Sequence, residues 1–323
     1  MSTWLLSTMW IGKQLCDLLV GTRKIDGIIG LSERADTAGI AGYEFLGDYC
    51  RERRIPFVAI NDYDLQDDED RDRLLKLDID TLIVYGWQRL IPLWFTDHCK
   101  LVIGCHGSAY GITRGRGNSP LTWALLMGKR EFEVSIFRID FGMDSGEIIG
   151  SKRFPLMPYL DVARAYELMT VKVASLINVA DFTKSIPQYD EPRYLPQRIP
   201  EDGAIDWMRS WQIVDFVRAQ TAPYPCAYTT LKGEKIKILQ AALHHQAKSY
   251  GQIGEIMIAG ERTAFVRSVG YDIGIQTAAN YNLTKSDVFD SVDFKEQMRR
   301  IVIRHYQNWP SHILNEEVDA LAQ

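Results

Sequence analysis

The chain has 323 residues, of which 46% are hydrophobic and 24% charged, and its formal net charge is −5. This composition is typical of a globular protein with a large core. The net negative charge does not indicate a protein that binds nucleic acid or anionic membranes through an overall positive charge. The sequence holds no apolar run long enough to span a bilayer, and the start, MSTWLLSTMWIG, lacks the basic region of a signal peptide. Five scattered cysteines without a C-x-x-C pair indicate reduced thiols, so we expect a cytoplasmic protein.

Short apolar runs alternate with amphipathic stretches through the first third of the chain. Five runs rich in Val, Ile and Leu are predicted as strands: TWLLST (3–8), IDGIIGLSE (25–33), PFVAIN (56–61), IDTLIVYGW (79–87) and KLVIGCHGS (100–108). Three stretches between them are predicted as helices: IGKQLCDLLVG (11–21), AGYEFLGDYCRERR (41–54) and DEDRDRLLKL (68–77). This order predicts a doubly wound, mostly parallel α/β sheet of Rossmann-like type, which binds ligands beyond the carboxyl ends of its strands.

The hydrophobic pattern changes at Glu133, where the spacing between apolar residues becomes two. EVSIFRID (133–140) and GEIIGSKRFPL (146–156) are predicted as strands around the turn FGMDSG, and a long helix is expected over 161–183. The proline-rich stretch 185–203 is typical of a linker. The later segments are predicted as one helix followed by five strands of a small β unit: 204–220, then 226–231, 234–243, 251–259, 263–269 and 272–278.

These patterns predict the domain organisation. We expect a catalytic α/β domain over residues 1–184, a linker over 185–203, an OB-like β domain over 204–284 and a helical extension over 285–323.

Three segments that follow apolar runs are expected to meet at one edge of the predicted sheet: 86–92, 104–120 and 140–146. They contain His106 and Asp144, and the sequence offers neither a serine nucleophile with its own base nor a cluster of metal ligands beside them. Asp144 in its glycine turn can hold and polarise His106, so that the imidazole acts as an acid or a charged donor. That pair suits acyl transfer to an amine, in which an oxyanion develops and the nucleophile loses a proton. The alternative is structural: His106 caps a strand end and Asp144 closes a turn.

A cysteine beside His106 and a pair of histidines near residue 244 are not expected to carry chemistry. Cys105 is predicted as a small buried residue rather than a nucleophile, because neighbouring strand residues point to opposite faces. His244 and His245 have no partner at ligand spacing, and we expect no metal.

Three motifs resemble the core of the folate-dependent formyltransferases: His106-Gly107-Ser108, RGNSP at 116–120 and GMDSG at 142–146. They follow one another in the family's order and at about its spacing, and the resemblance extends over most of residues 1–280. Residues 201–238 resemble the start of the family's C-terminal OB-like domain. The resemblance implies transfer of a formyl group from 10-formyltetrahydrofolate to a primary amine, with His106 and Asp144 as catalytic residues.

The resemblance also implies binding residues. The pterin is expected between YGWQRLIP (85–92) and IDFGMDSG (139–146), where backbone groups read its edge. The residues expected to bind the folate are Trp87, Arg89, Leu90, Ile91, Asp140, Phe141 and Asp144. Trp87 has an equal alternative as a buried tryptophan at the end of the sheet. The residues expected to contact the acceptor are Ser108, Tyr110, Arg114 and Arg116, with bracing of the loop as the alternative for Arg116.

The sequence departs from the family pattern in two places. Gly104 occupies the position of the family's catalytic asparagine, and loss of one oxyanion donor costs about a hundred- to a thousand-fold in rate. The candidate replacements are a cationic His106, a backbone N–H of the loop, and Asn118. The family's S-L-L-P is SAYG here, and the loop that follows is about two residues longer, which predicts a reshaped acceptor pocket.

Three acceptor hypotheses remain open at this point: an amino sugar (nucleotide-linked), an aminoacyl-tRNA, or none, in a folate-binding protein or formyl-folate hydrolase. Residues 200–323 hold thirteen Lys and Arg against fifteen Asp and Glu, which gives the tRNA hypothesis no support. The segments SPLTW and GWQRLIP resemble the sugar-modifying branch, so we expect an amino sugar and a role in surface polysaccharide biosynthesis. The C-terminal β unit has three open roles: holding the nucleotide, forming a homodimer, or bracing the catalytic domain.

Overall fold

The computed structural model describes residues 2–244 and 251–323, apart from the side chain of Thr22, and these residues form two units. The first unit comprises Met1–Arg116, Phe132–Phe154 and Tyr166–Pro192, and the second comprises Gly117–Glu131, Pro155–Ala165 and Arg193–Gln323. The domain boundaries expected at residues 184, 203 and 284 stay predictions.

A mixed sheet forms the centre of the first unit. Its strands are β1 Thr3–Leu6, β2 Gly27–Leu31, β3 Phe57–Ile60, β4 Thr81–Val84, β5 Leu101–Ser108, β7 Glu131–Arg138 and β8 Ile148–Pro155, and β6 Arg116–Gly117 is a separate short strand. The order in the sheet is β3-β2-β1-β4-β5-β7-β8. The strands from β3 to β5 are parallel, whereas β7 is antiparallel to β5. The predicted doubly wound, mostly parallel sheet is confirmed.

The first unit also contains helices. They are α1 Ile11–Leu18, α2 Gly47–Arg53, α3 Asp68–Leu74, α4 Leu93–His98, α5 Gly111–Arg114 and most of α7 Val162–Val179, whereas α6 Pro120–Leu126 belongs to the second unit. The predicted long helix is confirmed by α7. Helix α2 begins six residues later than predicted, and α4, which is only six residues long, was not predicted. Helices of one or two turns carry too little periodicity to be recognised from sequence.

The core explains why the strands formed where they did. Every residue of β2 is buried, as expected for an apolar run in a sheet covered on both faces. Leu6, Ile29 and Leu82 lie in one buried cluster with Phe95 of α4, so the short helix is held by packing rather than by its own propensity.

The second unit contains a small antiparallel sheet. Its elements are β9 Tyr194–Leu195, α8 Gln212–Arg218, β10 Ala227–Leu231, β11 Glu234–His244, β12 Ile256–Ala259, β13 Thr263–Arg267, β14 Asp272–Thr277, α9 Phe294–Asn308 and α10 Glu316–Ala320. Five of the strands pair in the order β10-β11-β14-β13-β12. The predicted β unit and the helical end of the chain are therefore confirmed.

The helix predicted over 204–220 is broken in the structure. A 3-10 turn at Trp207–Arg209 is capped by Asp206, whose side chain accepts from the N–H of Met208 at 2.8 Å. Ser210 then takes φ 57° and ψ −130°, which an α-helix cannot contain, and only α8 continues the pattern. Among the described residues of both units, no helix has the length and apolar character needed to cross a membrane.

Candidate functional site

His106 lies on β5 beyond the point where its neighbour β4 stops. Val84, the last residue of β4, pairs with Gly104, whereas β7 pairs with β5 as far as Ser108 and places Ser135 opposite His106. The residue therefore sits where one side of the strand has lost its partner. Such open strand ends are where α/β sheets bind ligands.

Both ring nitrogens of His106 face oxygen acceptors. Nε2 lies 2.7 Å from the carbonyl oxygen of Gly115, and Nδ1 lies 3.4 Å from Oδ2 of Asp144. The side chains of His106 and Asp144 are only 9% and 19% exposed. A carbonyl and a carboxylate only accept hydrogen bonds, so each ring nitrogen has an acceptor to which it can donate when it carries a proton. The structure thus brings together the two residues that the motifs singled out.

The turn that carries Asp144 is built from short polar side chains. Oδ1 of Asp140 accepts from the backbone N–H of Gly142 at 3.0 Å and from the hydroxyl of Ser145. Asp144 itself has φ 51°, in the left-handed region that few residue types adopt. The predicted folate contact Asp140 therefore has a structural task, which is to hold the turn that presents Asp144.

Gly104, at the position of the family's asparagine, faces the ring of Phe137 on β7. The two residues are direct cross-strand partners, and a Cβ added at Gly104 would lie 2.6 Å from Cζ of Phe137. Phe137 is buried. The ring of Phe137 therefore takes the space that a side chain at residue 104 would need, so the lack of an asparagine leaves no empty space there for a ligand group.

The loop after β5 packs closely against the end of that strand. Ser108 is fully buried, and its Oγ accepts from the N–H of Tyr110 at 3.0 Å. A Cβ at Gly115 would lie 1.8 Å from the same Oγ, so only glycine lets the chain return against Ser108 after the helical turn α5. This close return is what carries the carbonyl of Gly115 to His106. Ser108 therefore has a structural role in this loop, and its contact with the acceptor stays a prediction.

The two arginines of the loop differ in exposure. Arg114 is exposed, whereas Arg116 is 8% exposed. Nη2 of Arg116 donates to Oε1 of Gln188 at 2.8 Å, and its Nε has no partner within the described part of the chain. The polar partner of this buried guanidinium is a neutral amide, so no carboxylate of residues 2–244 or 251–323 balances its positive charge.

The segment after β4 presents a packed residue and an ion pair. Trp87 is 8% exposed and belongs to the buried cluster, where it packs edge-on against Tyr63 at 4.7 Å between ring centroids. Arg89 pairs with Asp64, with Nε 3.0 Å from Oδ1. Of the two interpretations of Trp87, the structure displays the buried tryptophan at the end of the sheet.

The neighbouring residues leave their polar backbone unused. Within residues 2–244 and 251–323, the backbone N–H and C=O groups of Leu90, Ile91 and Phe141 make no hydrogen bond to the chain. The side chains of Leu90 and Phe141 are 54% and 84% exposed. Unpaired donors and acceptors beside exposed apolar side chains fit the flat, polar-edged pterin that the motifs implied.

Asn118 belongs to the second unit. Its N–H donates to the carbonyl of Leu195 at 3.3 Å, and it lines a small cavity with Arg304, His305 and Trp309. Its assignment as an oxyanion donor stays a prediction.

Two residues of the His106 region escaped the sequence analysis. Phe137 reads as an ordinary strand residue, and Gln188 falls in the stretch predicted as a linker. No sequence signal marks either residue, because their importance arises from what lies opposite them. Cys105 was predicted to be buried and is half-buried in the structure, and desolvation raises the pKa of its thiol, which disfavours the nucleophilic thiolate.

Two family models match the chain. The model described as "Formyl transferase" covers residues 11–176, and "Formyl transferase, C-terminal domain" covers 198–282. The chain belongs to the formyltransferase family. It is a folate-dependent formyltransferase, as the three motifs predicted, and it transfers a formyl group.

Individual relatives agree with this assignment. The chain is 23% identical over 280 residues to a methionyl-tRNA formyltransferase of Streptococcus pneumoniae, covering 84% of this chain and 83% of the relative. Its fold is similar to an N-formyltransferase from Helicobacter canadensis in complex with folinic acid and dTDP-3-aminofucose, with TM-score 0.56, 16% identity, and coverage of 86% and 99%. It is also similar to HypX from Aquifex aeolicus in complex with tetrahydrofolic acid, with TM-score 0.59 and 19% identity over 85% of this chain. The match spans 43% of the HypX chain, less than half its length.

No metal is expected in this family site. Among the residues that the structure describes, no group of three His, Cys, Asp or Glu is placed to hold a metal ion. His245, of the pair weighed from the sequence, lies outside the described residues.

Proposed function

We propose that the protein moves a formyl group from 10-formyltetrahydrofolate to the primary amine of an amino sugar carried on a nucleotide. The observation that supports this most directly is the pair formed by His106 and Asp144 at the open end of β5. It provides a polarised imidazole in a site with little solvent access, which is what formyl transfer to an amine requires.

His106 is the hydrogen-bond donor in this proposal. Its Nε2–H donates to the oxygen of the formyl group as negative charge develops there, and Asp144 stabilises the cationic form of the ring through Nδ1. In the present structure Nε2 is directed at the carbonyl of Gly115, 2.7 Å away, so the formyl oxygen replaces that carbonyl as the acceptor. A bond forms from the amine nitrogen to the formyl carbon, the bond to the folate nitrogen breaks, and one proton passes from the amine to that nitrogen.

A cationic His106 also answers the loss of the family's asparagine. Phe137 fills the space beside Gly104, so the lost donor has no substitute at that position. A charge-assisted hydrogen bond is about twice as strong as a neutral one, and an imidazolium therefore replaces much of what an amide would supply. The other two candidates, Asn118 and a backbone N–H of the loop, remain alternatives.

The folate donor supplies the formyl group when bound. We propose that its pterin lies on the unpaired backbone groups of Leu90, Ile91 and Phe141, with the exposed side chains of Leu90 and Phe141 against its flat faces. Arg89 contributes through its backbone, since its guanidinium is engaged with Asp64. Trp87 supports this segment from the core rather than contacting the folate.

The acceptor is assigned to a sugar on four grounds. The sequence segments SPLTW and GWQRLIP resemble the sugar-modifying branch, and residues 200–323 show no positive excess. Two structural neighbours named as sugar N-formyltransferases or seen with dTDP-3-aminofucose are matched over 98–99% of their length. The unbalanced charge of Arg116, with Arg114 beside it, suits the phosphates of a nucleotide.

Formylation of methionyl-tRNA is the second candidate. It is favoured by sequence relatives of that name, which cover 84% of the chain. The two candidates differ in the surface charge that they require. A tRNA has to be held by many contacts between basic side chains and phosphates, and the affinity of such contacts falls steeply with salt.

The deciding experiment is a mass-spectrometric screen with 10-formyltetrahydrofolate as donor. Nucleotide-linked amino sugars, free amino sugars and methionyl-tRNA are the acceptors, and Asp144→Asn is the control variant. We expect a nucleotide-linked sugar to gain 28 mass units with the wild type (about one formyl group in place of hydrogen) and to remain unchanged with the variant, whose melting temperature stays close to that of the wild type. Wild-type turnover in D144N would remove Asp144 from the mechanism. Formylated tRNA alone would establish the second candidate, and hydrolysis of the donor without any formylated amine would contradict both.

A further inference from the structure

The side-chain amide of Gln188 joins two loops of the first unit. Its Nε2 donates to the carbonyl oxygens of Asp144 and Gly146, both at 2.8 Å. Its Oε1 accepts from the hydroxyl of Thr113 and from Nη2 of Arg116, both at 2.8 Å. Both donor hydrogens and both acceptor lone pairs of the amide are therefore in use.

The two loops are those that contact the ring of His106. Asp144 faces Nδ1 from one side, and Gly115, directly before Arg116, faces Nε2 from the other. Gln188 bonds to the main chain of the first loop and to side chains of the second. It therefore sets the positions of both acceptors around the imidazole without touching the imidazole itself.

The choice of an amide has an electrostatic consequence. Glu at residue 188 would balance the guanidinium of Arg116, and it could not donate to the carbonyls of Asp144 and Gly146. Gln keeps the geometry and leaves the positive charge of the buried Arg116 available to an anionic group. The residue thus affects both the catalytic pair and the candidate anion contact.

We propose that Gln188 is a positioning residue for formyl transfer, which aligns Asp144 with His106 and holds Arg116 uncompensated for a phosphate of the acceptor. This inference rests on the proposed function for its readouts of turnover, while its structural core concerns the ring of His106 alone.

The test compares Gln188→Ala and Gln188→Glu with wild type, and with Tyr189→Ala as a matched control at a neighbouring residue that is 84% exposed. We expect Q188A to lower kcat by about ten- to a hundred-fold, since a small misplacement of reacting groups costs that much. Q188E is expected to raise the KM for the nucleotide-linked acceptor by about tenfold or more, because it balances Arg116. Y189A keeps both parameters within about twofold of wild type.

A second measurement does not depend on turnover. The ring ¹⁵N shifts of His106, assigned by their absence in His106→Asn, report which nitrogens carry protons and what they face. We expect these shifts to change in Q188A and to stay unchanged in Y189A, with both variants folded by circular dichroism.

The outcomes separate the two proposals. Unchanged His106 shifts and unchanged kcat in Q188A would overturn the role of Gln188 even if the wild type formylates a sugar. Changed shifts in Q188A, with no formylated amine from the wild type, would support the positioning role and refute the proposed function. A lower melting temperature in Q188A with kcat per folded molecule and His106 shifts intact would reduce Gln188 to a structural bridge.

Discussion

A side chain at Gly104 would overlap the ring of Phe137. An ideal Cβ there falls 2.6 Å from Cζ and 2.8 Å from Cε1 of Phe137, and 3.0 Å from Cγ1 of Ile139. Carbon atoms are in favourable contact at about 3.5–4.0 Å, so the ring has to retreat by roughly 1 Å. Phe137 is only 5% exposed and lies opposite Gly104 on β7, and the retreat therefore disturbs packed neighbours rather than solvent.

The size of the effect follows from overpacking a close-packed core. We expect Gly104→Ala and Gly104→Asn each to lower the free energy of unfolding by about 1–3 kcal/mol. Phe137→Ala alone costs about 3–5 kcal/mol, because it leaves a cavity. In the double variant G104N/F137A the amide enters part of that cavity, so the loss should fall short of the sum by about 1–3 kcal/mol.

Urea unfolding followed by far-UV circular dichroism measures all four proteins. Gly150→Ala is the matched control, since Gly150 also lies in a strand but its added Cβ meets Cδ2 of Leu176 at an ordinary 3.5 Å. Its free energy of unfolding should change by less than about 0.5 kcal/mol. If G104A proved as harmless as G150A, or if the double-variant cycle were additive within about 0.5 kcal/mol, the steric account of Gly104 would be refuted.

Three further predictions concern the turn, a buried histidine and the loop arginine. Gly146→Ala should destabilise the protein by about 3 kcal/mol or more, because its Cβ would lie 1.8 Å from the carbonyl oxygen of Arg138 and the obstacle is backbone; a melting temperature equal to that of wild type would contradict this. Burial, aided by His312, lowers the pKa of His305 from 6.5 to about 4, so the unfolded chain binds a proton there first and stability falls as pH drops below about 6.5. Between pH 7 and pH 5 this amounts to about 2 kcal/mol, which urea unfolding should show in wild type and not in His305→Asn; equal pH dependence in both would exclude His305 as the cause. Arg116→Met should raise the KM for the acceptor about tenfold or more without lowering the free energy of unfolding, since a buried cation without a carboxylate partner adds little stability; a large loss of stability would instead indicate a bracing role.

The sheet and the long helix were predictable because their signals are local. The continuous apolar run of β2 indicates a strand that is buried on both faces. The apolar stripe along the 18 residues of α7 indicates a helix that is buried on one face. The stretch 204–220 has a helical pattern too, yet Asp206 caps a 3-10 turn and Ser210 leaves helical geometry. There the competing hydrogen bond of a short polar side chain overrode the pattern.

The site was predictable to the extent that motifs carry it. His106 and Asp144 were selected because they lie in segments that follow apolar runs and in two of the family motifs. The structure places Nδ1 of His106 3.4 Å from Oδ2 of Asp144. The sequence predicted only a longer, glycine-containing loop after β5, whereas the structure packs Gly115 of that loop against Ser108 and so places its carbonyl at the ring of His106. A glycine in a sequence can mean either a flexible backbone or the close approach of another group. The residues packed around it in the fold show which of the two applies.

What the sequence determined by itself is the alternation of strands and helices, the two residues of the candidate catalytic pair, and the departure at Gly104. What only the tertiary structure decided is how these residues are surrounded. Phe137 occupies the space of an asparagine side chain because the register of β7 sets it opposite Gly104. Gln188 meets Thr113 and Asp144 across 75 and 44 residues of chain. Periodicity records which residues are buried, but strand register and hydrogen bonds between distant segments depend on the whole fold, and no local pattern contains them.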